Sequence, residues 1–247
     1  MKRSLHFFLL IAALASICVA QTPTPPVLKR KFLSERNWSS KLEPGDIVFI
    51  RSRTANAALI AALSNVEEKD DADDVFTHCG IIFKDGAELK VYEGEGRGAG
   101  NHLTLSAWQE DESKGEVNGV KKNDLHHIYA MRWNGQPELA TGLDKLLKKA
   151  KELHDTRYDH GFFWTDKRAY CSELVWRAFE VAGFRLGKLP TMGEYVALAR
   201  PDVAQKVKDK LEAAKNEYRE GRGYLPNESA ISPEDIYKSS VLTPITD

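Results

Sequence analysis

Tyr170-Cys171-Ser172-Glu173-Leu174-Val175-Trp176 is the stretch around which the chain is organised. Behind Cys171, the residues Leu174, Val175, Ala178, Phe179 and Ala182 recur at spacings of three and four, which marks one buried helical face. Cys171 falls on that stripe, in the first turn. A thiol there lies at the positive end of the helix dipole, which favours the thiolate. A lone cysteine on an apolar stripe is more often packing than chemistry. The reading therefore turns on whether the rest of the chain supplies a base and a group to orient it.

The 247 residues, 42% hydrophobic and 29% charged, suffice for one good-sized domain or two small ones. A formal net charge of -1, with basic and acidic residues interspersed, leaves no nucleic-acid footprint. Lys2 and Arg3, the apolar run 7–15 and the small residues around Cys18-Val19-Ala20 read as a signal peptide over 1–20, cut after Ala20. The run is too short, and too soon followed by Gln-Thr-Pro-Thr-Pro-Pro at 21–26, for a stable membrane span. Ile17 sits where a lipid-attachment site at Cys18 wants a small residue. The expected location is periplasmic or secreted. Of three cysteines, Cys79 and Cys171 then remain. One disulfide between them would not staple a chain of this size, so the core carries stability and Cys171 is free for chemistry.

Residues 21–41 read as an extended, proline-rich leader, and folding is expected from about Leu42. A turn at Pro44-Gly45-Asp46 precedes a strand over 47–50. Residues 54–64 read as a short helix and 67–74 as an acidic surface loop. Strands over 77–83 and 88–93 flank the hairpin signal Lys84-Asp85-Gly86. Gly94, Gly96, Gly98 and Gly100 make a flexible loop, read as a mobile lid rather than a phosphate cradle. An element starts at 103–108, a polar excursion covers 111–124, and 127–133 alternates as a strand. Helices are expected over 141–154, from Cys171 to Gly183, and over 203–218. A last short helix opens at Ser232, with Pro233 in its first position. There are no repeats. The order gives an α+β domain, an antiparallel sheet with helices on one side.

A cysteine nucleophile needs a base and a third group to hold it. His78 is the best base, at the start of the buried run Gly80-Ile81-Ile82-Phe83. Alternation places Cys79 on the other face, away from Cys171 if His78 points at it. His126 and His127 follow a polar loop, and His154 and His160 flank another. On the returning strand Glu93 and Glu95 share the parity of Leu89 and Val91. Glu93, at the strand end, is placed to accept the second ring N–H of His78. With no CxxC, no HExxH, and His78 and Cys79 on opposite faces, no metal site is expected. No P-loop or strand-linked GxGxxG is present, so no cofactor is expected either.

Five stretches carry a resemblance: Pro-Gly-Asp-Ile-Val-Phe at 44–49, His-Cys-Gly-Ile-Ile-Phe at 78–83, Val-Tyr-Glu at 91–93, Tyr-Cys-Ser-Glu-Leu-Val at 170–175 and Ser-Pro-Glu-Asp-Ile-Tyr at 232–237. In this order and spacing they resemble the YiiX-like family, in the circularly permuted branch of the NlpC-type papain-like superfamily. The resemblance implies a permuted papain-like catalytic domain over 42–247, with the histidine ahead of the cysteine. It implies Cys171 as nucleophile, His78 as base and Glu93 as the third polar group, with the Cys171 backbone N–H in the oxyanion hole. The expected activity is hydrolysis of an amide bond, in a peptidoglycan-type peptide or an N-acyl amino acid, through an acyl-enzyme. Phe162, Phe163, Trp164 and Trp176 are candidates for an apolar groove. The alternatives are a thioester-forming acyltransferase on the same Cys-His pair, or a non-catalytic lipid- or peptide-binding protein on this scaffold. The partners expected are a small peptide, cell-wall or acylated amide substrate, with no nucleic acid.

Overall fold

The structure is a computed structural model describing residues 32–51, 75–94, 99–113, 128–165, 167–199 and 201–247. In chain order these form a 3-10 turn (Glu35–Asn37), α1 (Trp38–Lys41), β1 (Ile47–Ile50), β2 (His78–Asp85), β3 (Glu88–Tyr92), β4 (Leu103–Thr104), α2 (Leu105–Ser113), β5 (Tyr129–Trp133) and α3 (Gln136–His154). Then follow β6 (Arg157–Tyr158), β7 (Arg168–Ala169), α4 (Cys171–Val181), α5 (Met192–Leu198), α6 (Pro201–Ala213), α7 (Pro233–Tyr237) and β8 (Leu242–Ile245). The helix read over 54–64, the acidic loop, the glycines of 95–98 and most of the polar excursion lie outside the described residues.

Six strands form one sheet in the order β4-β3-β2-β1-β5-β8. Every pairing in it is antiparallel, so the α+β reading holds. Period-two alternation splits its side chains between two cores. Ile47, Phe49, Cys79, Ile81 and Tyr92 join the core that contains Leu146 and Leu153 of α3 and Leu174, Ala178 and Phe179 of α4. Val48, Ile50, Ile82 and Val91 face the other way, against Trp38, Leu42, Leu105 and Trp108. Helices therefore cover both faces, not one. Short α1 and α2 were hard to read because neither offers a long apolar stripe.

The extended leader expected over 21–41 does not hold for its described end. Leu33 bridges to Ile128, and Trp38 is buried with its indole N–H donating to the Leu33 carbonyl at 3.2 Å. At the other end, Ser232 caps α7 by accepting the Asp235 amide, with Pro233 in the first position as read. Glu234, on α7, accepts the Phe76 amide at 3.2 Å, so this helix is bonded to the run entering β2. Among the described residues no helix is long and apolar enough to cross a membrane.

Candidate active site

Cys171 opens α4, which follows β7 after one residue. Tyr170, the residue before the helix, is extended, and its own side chain does not cap the first turn. The Tyr170 hydroxyl and the Ser172 hydroxyl bond the amide and the carbonyl of Ile231, at 3.1 and 2.7 Å. Both flanks of Cys171 are thus fixed to one segment. The backbone of Gly94 presses on the same place: a Cβ added there would lie 2.6 Å from the Tyr170 carbonyl carbon and 2.8 Å from the Cys171 nitrogen. Only glycine allows that approach.

His78 is the first residue of β2, and Glu93 directly follows β3. Their side chains meet, His78 Nε2 donating to Glu93 Oε2 at 2.8 Å, and both are buried. The same carboxylate oxygen accepts the Trp108 indole N–H. With Nε2 engaged, Nδ1 is the ring nitrogen left for Cys171. The Cys79 thiol donates to Cys171, and with the charge and hydrogen bond of His78 it outweighs burial, holding Cys171 well below an ordinary thiol. Burial, with the hydrogen bond to Cys171, pushes Cys79 far the other way. Cys79 and Cys171 are both free thiols.

The structure thus brings the side chains of Cys171, His78 and Glu93 together in space. It corrects the placement of Cys79. Alternation holds along β2, but Cys79 is the residue that faces α4, while His78 lies on the opposite face, its ring 5.6 Å from that of Trp108. His78 still reaches Cys171 because it stands at the end of the strand. Trp108 was missed; an indole at this spacing reads as core, and no sequence signal distinguished its N–H.

Beside the helix start is a small cavity of about 20 Å³, lined by residues that include Phe162, Tyr170, Ser172, Met192 and Ile231. Of the four aromatics read as a groove, Phe162 lines it. Trp176 is in the core, and Phe163 lies under the Arg222 guanidinium at 3.3 Å from its ring centre. A second polar group, His102, His154 and Asp155, offers one ligand atom from each residue, all within 4.8 Å of one another.

Residues 41–246 match the family described as permuted papain-like amidase enzyme, YaeF/YiiX, C92. The uncharacterized protein YiiX of Escherichia coli K12 is 26% identical over 204 residues, covering 82% of this chain and 85% of that protein. The crystal structure of metalloprotein yiiX from Escherichia coli O157:H7 superposes with a TM-score of 0.60 at 22% identity. It spans 84% of this chain and 98% of its own. At that identity the likeness speaks for the fold, and the fold agrees with the order of histidine before cysteine. The chain belongs to the permuted papain-like amidases of the YaeF/YiiX, C92 family.

Proposed function

We propose that the protein is an exported cysteine amidase in which Cys171, His78 and Glu93 act together through an acyl-enzyme. The observation that carries this reading is the contact of Cys171, lowered toward thiolate, with a histidine whose other ring nitrogen is bound 2.8 Å from a buried carboxylate. The Cys171 sulfur attacks the amide carbonyl carbon, and a C–S bond forms. The carbonyl oxygen becomes an oxyanion beside the start of α4, whose first backbone N–H groups have no acceptor within the helix. His78 delivers a proton to the leaving nitrogen, and the C–N bond breaks. Neutral His78 then takes a proton from water. The hydroxide adds to the thioester, the acid leaves, and the thiolate returns. Glu93 holds the imidazole in the tautomer and orientation both steps need.

The substrate we propose is an amide of the N-acyl amino acid or peptidoglycan stem-peptide class, on the strength of the amidase family and the Cys171–His78 pair. Cys171 itself is fully buried, so the carbonyl reaches sulfur only after the covering atoms move. Two measurements test the proposal. Alkylation by iodoacetamide across pH is expected to report a midpoint well below the ~8.5 of a free thiol, since the thiolate is favoured as pH rises through a depressed value. Muropeptides and N-acyl amino acids are expected to be turned over by the wild type and not by Cys171→Ala. An ordinary thiol midpoint, or turnover that survives Cys171→Ala, refutes the mechanism. Transfer of the acyl group to an added amine in place of water would move the assignment to an acyltransferase.

A further inference from the structure

His154 closes α3, Asp155 follows it, and His102 stands just before β4. His154 is 1% exposed. Its Nδ1 lies 2.9 Å from the Glu93 carbonyl oxygen and 3.3 Å from the Glu93 amide nitrogen; the shorter contact is the one in which Nδ1–H donates to the carbonyl, and that tautomer leaves Nε2 as a lone pair. That Nε2 is buried and has no hydrogen-bond partner. The same is true of His102 Nε2 and of Asp155 Oδ1. The two imidazoles stack, with centroids 4.6 Å apart. One unpaired buried polar atom costs about 1–3 kcal/mol. Each of these three residues offers a ligand atom within 4.8 Å of the others, and each carries an unpaired buried atom, which together describe a site built for a ligand.

The chemistry of the donors says which ligand. Two imidazole lone pairs and a carboxylate oxygen repel an anion and suit a divalent metal of the zinc class. We propose that His102, His154 and Asp155 bind such an ion through His102 Nε2, His154 Nε2 and Asp155 Oδ1. The ligands have the outer partners that such sites use. His154 Nδ1–H is held by the Glu93 carbonyl, and Asp155 Oδ2 accepts Lys151 Nζ at 2.7 Å. At metal–nitrogen distances of about 2.0–2.1 Å, tetrahedral ligands stand roughly 3.3 Å apart. The present spread of up to 4.8 Å closes by an inward shift on the order of 1 Å. His102, half-buried and outside any helix, is the residue free to make it. Three protein ligands leave a fourth position for water.

The ion would tie the entry to β4 to the end of α3. Through His154 it would also fix the backbone of Glu93, the residue whose carboxylate holds His78. Its part is positioning, not reaction.

The test uses purified protein stripped by a chelator, then loaded with Zn²⁺ or Co²⁺ and desalted. One ion per chain is expected by elemental analysis in wild type and in Cys171→Ala, with a ligand-field absorption band for Co²⁺. His102→Ala and Asp155→Asn, checked for folding by circular dichroism, are expected to bind far more weakly. The loss should exceed the about 10–100-fold that outer partners contribute. The Asp155 variant keeps its shape, so it serves if the His102 variant does not fold. The proposal is overturned if the wild type retains no ion at micromolar metal. It is equally overturned if binding disappears in Cys171→Ala while persisting in His102→Ala and Asp155→Asn, which would place the ion on the thiols. Neither result bears on the amidase proposal, which is read from turnover and alkylation.

Discussion

Glu93 accepts two hydrogen bonds on one buried oxygen, from His78 and from Trp108. A hydrogen bond to a charged group contributes about 1.5–3 kcal/mol. Trp108→Phe keeps most of the ring volume and removes the N–H. It is expected to lower kcat/KM by roughly 10–100-fold with a small change in Tm. Glu93→Gln is expected to cost at least as much, because the neutral amide no longer stabilises the imidazolium and its NH2, if turned toward His78, selects the wrong tautomer. Steady-state kinetics beside calorimetry separate these outcomes from simple unfolding. Residues at this scale were legible where chemistry and periodicity coincide. Cys171 stood out by helical spacing, and His78 and Glu93 by their places at strand ends. Trp108 was not, because donating an N–H and filling a core leave the same mark in a sequence. His102 and His154 were not, because they are far apart in the chain and fit no ligand spacing.

At the scale of elements, the seating of α4 sets the position of the nucleophile. Gly94 lies against the Tyr170–Cys171 peptide too closely for any side chain. Gly94→Ala is expected to destabilise the protein by about 1–3 kcal/mol in denaturant titration and to reduce turnover further than that loss explains. The helix also carries a buried acid. Burial, with Asp159 and Glu228 nearby, pushes Glu173 from 4.5 up to about 9, although Arg177 Nη1 stands 3.0 Å from it. The folded state therefore binds more protons than the unfolded one between these values. The part of the stability linked to Glu173 is complete below about pH 4.5 and is lost as pH rises toward 9. Glu173→Gln is expected to flatten that slope, with a gain of at least about 1 kcal/mol over wild type at the alkaline end. Melting curves at several pH values check it. The amphipathic helix within Gln136–His154 and the antiparallel strands were legible because each repeats one pattern over many residues. The covering of the second face was not, since α1 has four residues.

For the molecule as a whole, residues 33–41 belong to the fold. Trp38 is the large side chain that closes the second core from this segment, and removal of a buried tryptophan costs about 3–5 kcal/mol. A chain beginning at residue 42 is expected to lose that much or more against one beginning at residue 32, measured by denaturant midpoint.

The same segment has a second consequence. The Ser34 amide and hydroxyl and the Asn37 side chain all donate to Asp247 Oδ1, and the Lys41 ammonium bonds the Thr246 carbonyl. The first described turn and the last residue are hydrogen-bonded neighbours, so a peptide linker joining them would make the backbone a ring. Opening that ring at the exposed Lys167, just ahead of β7, would yield a linear chain in which the nucleophile comes before its base. No side chain of the site would have moved. Which of the two is met first along the chain is thus decided by where the ring is cut, and the site itself is indifferent to it.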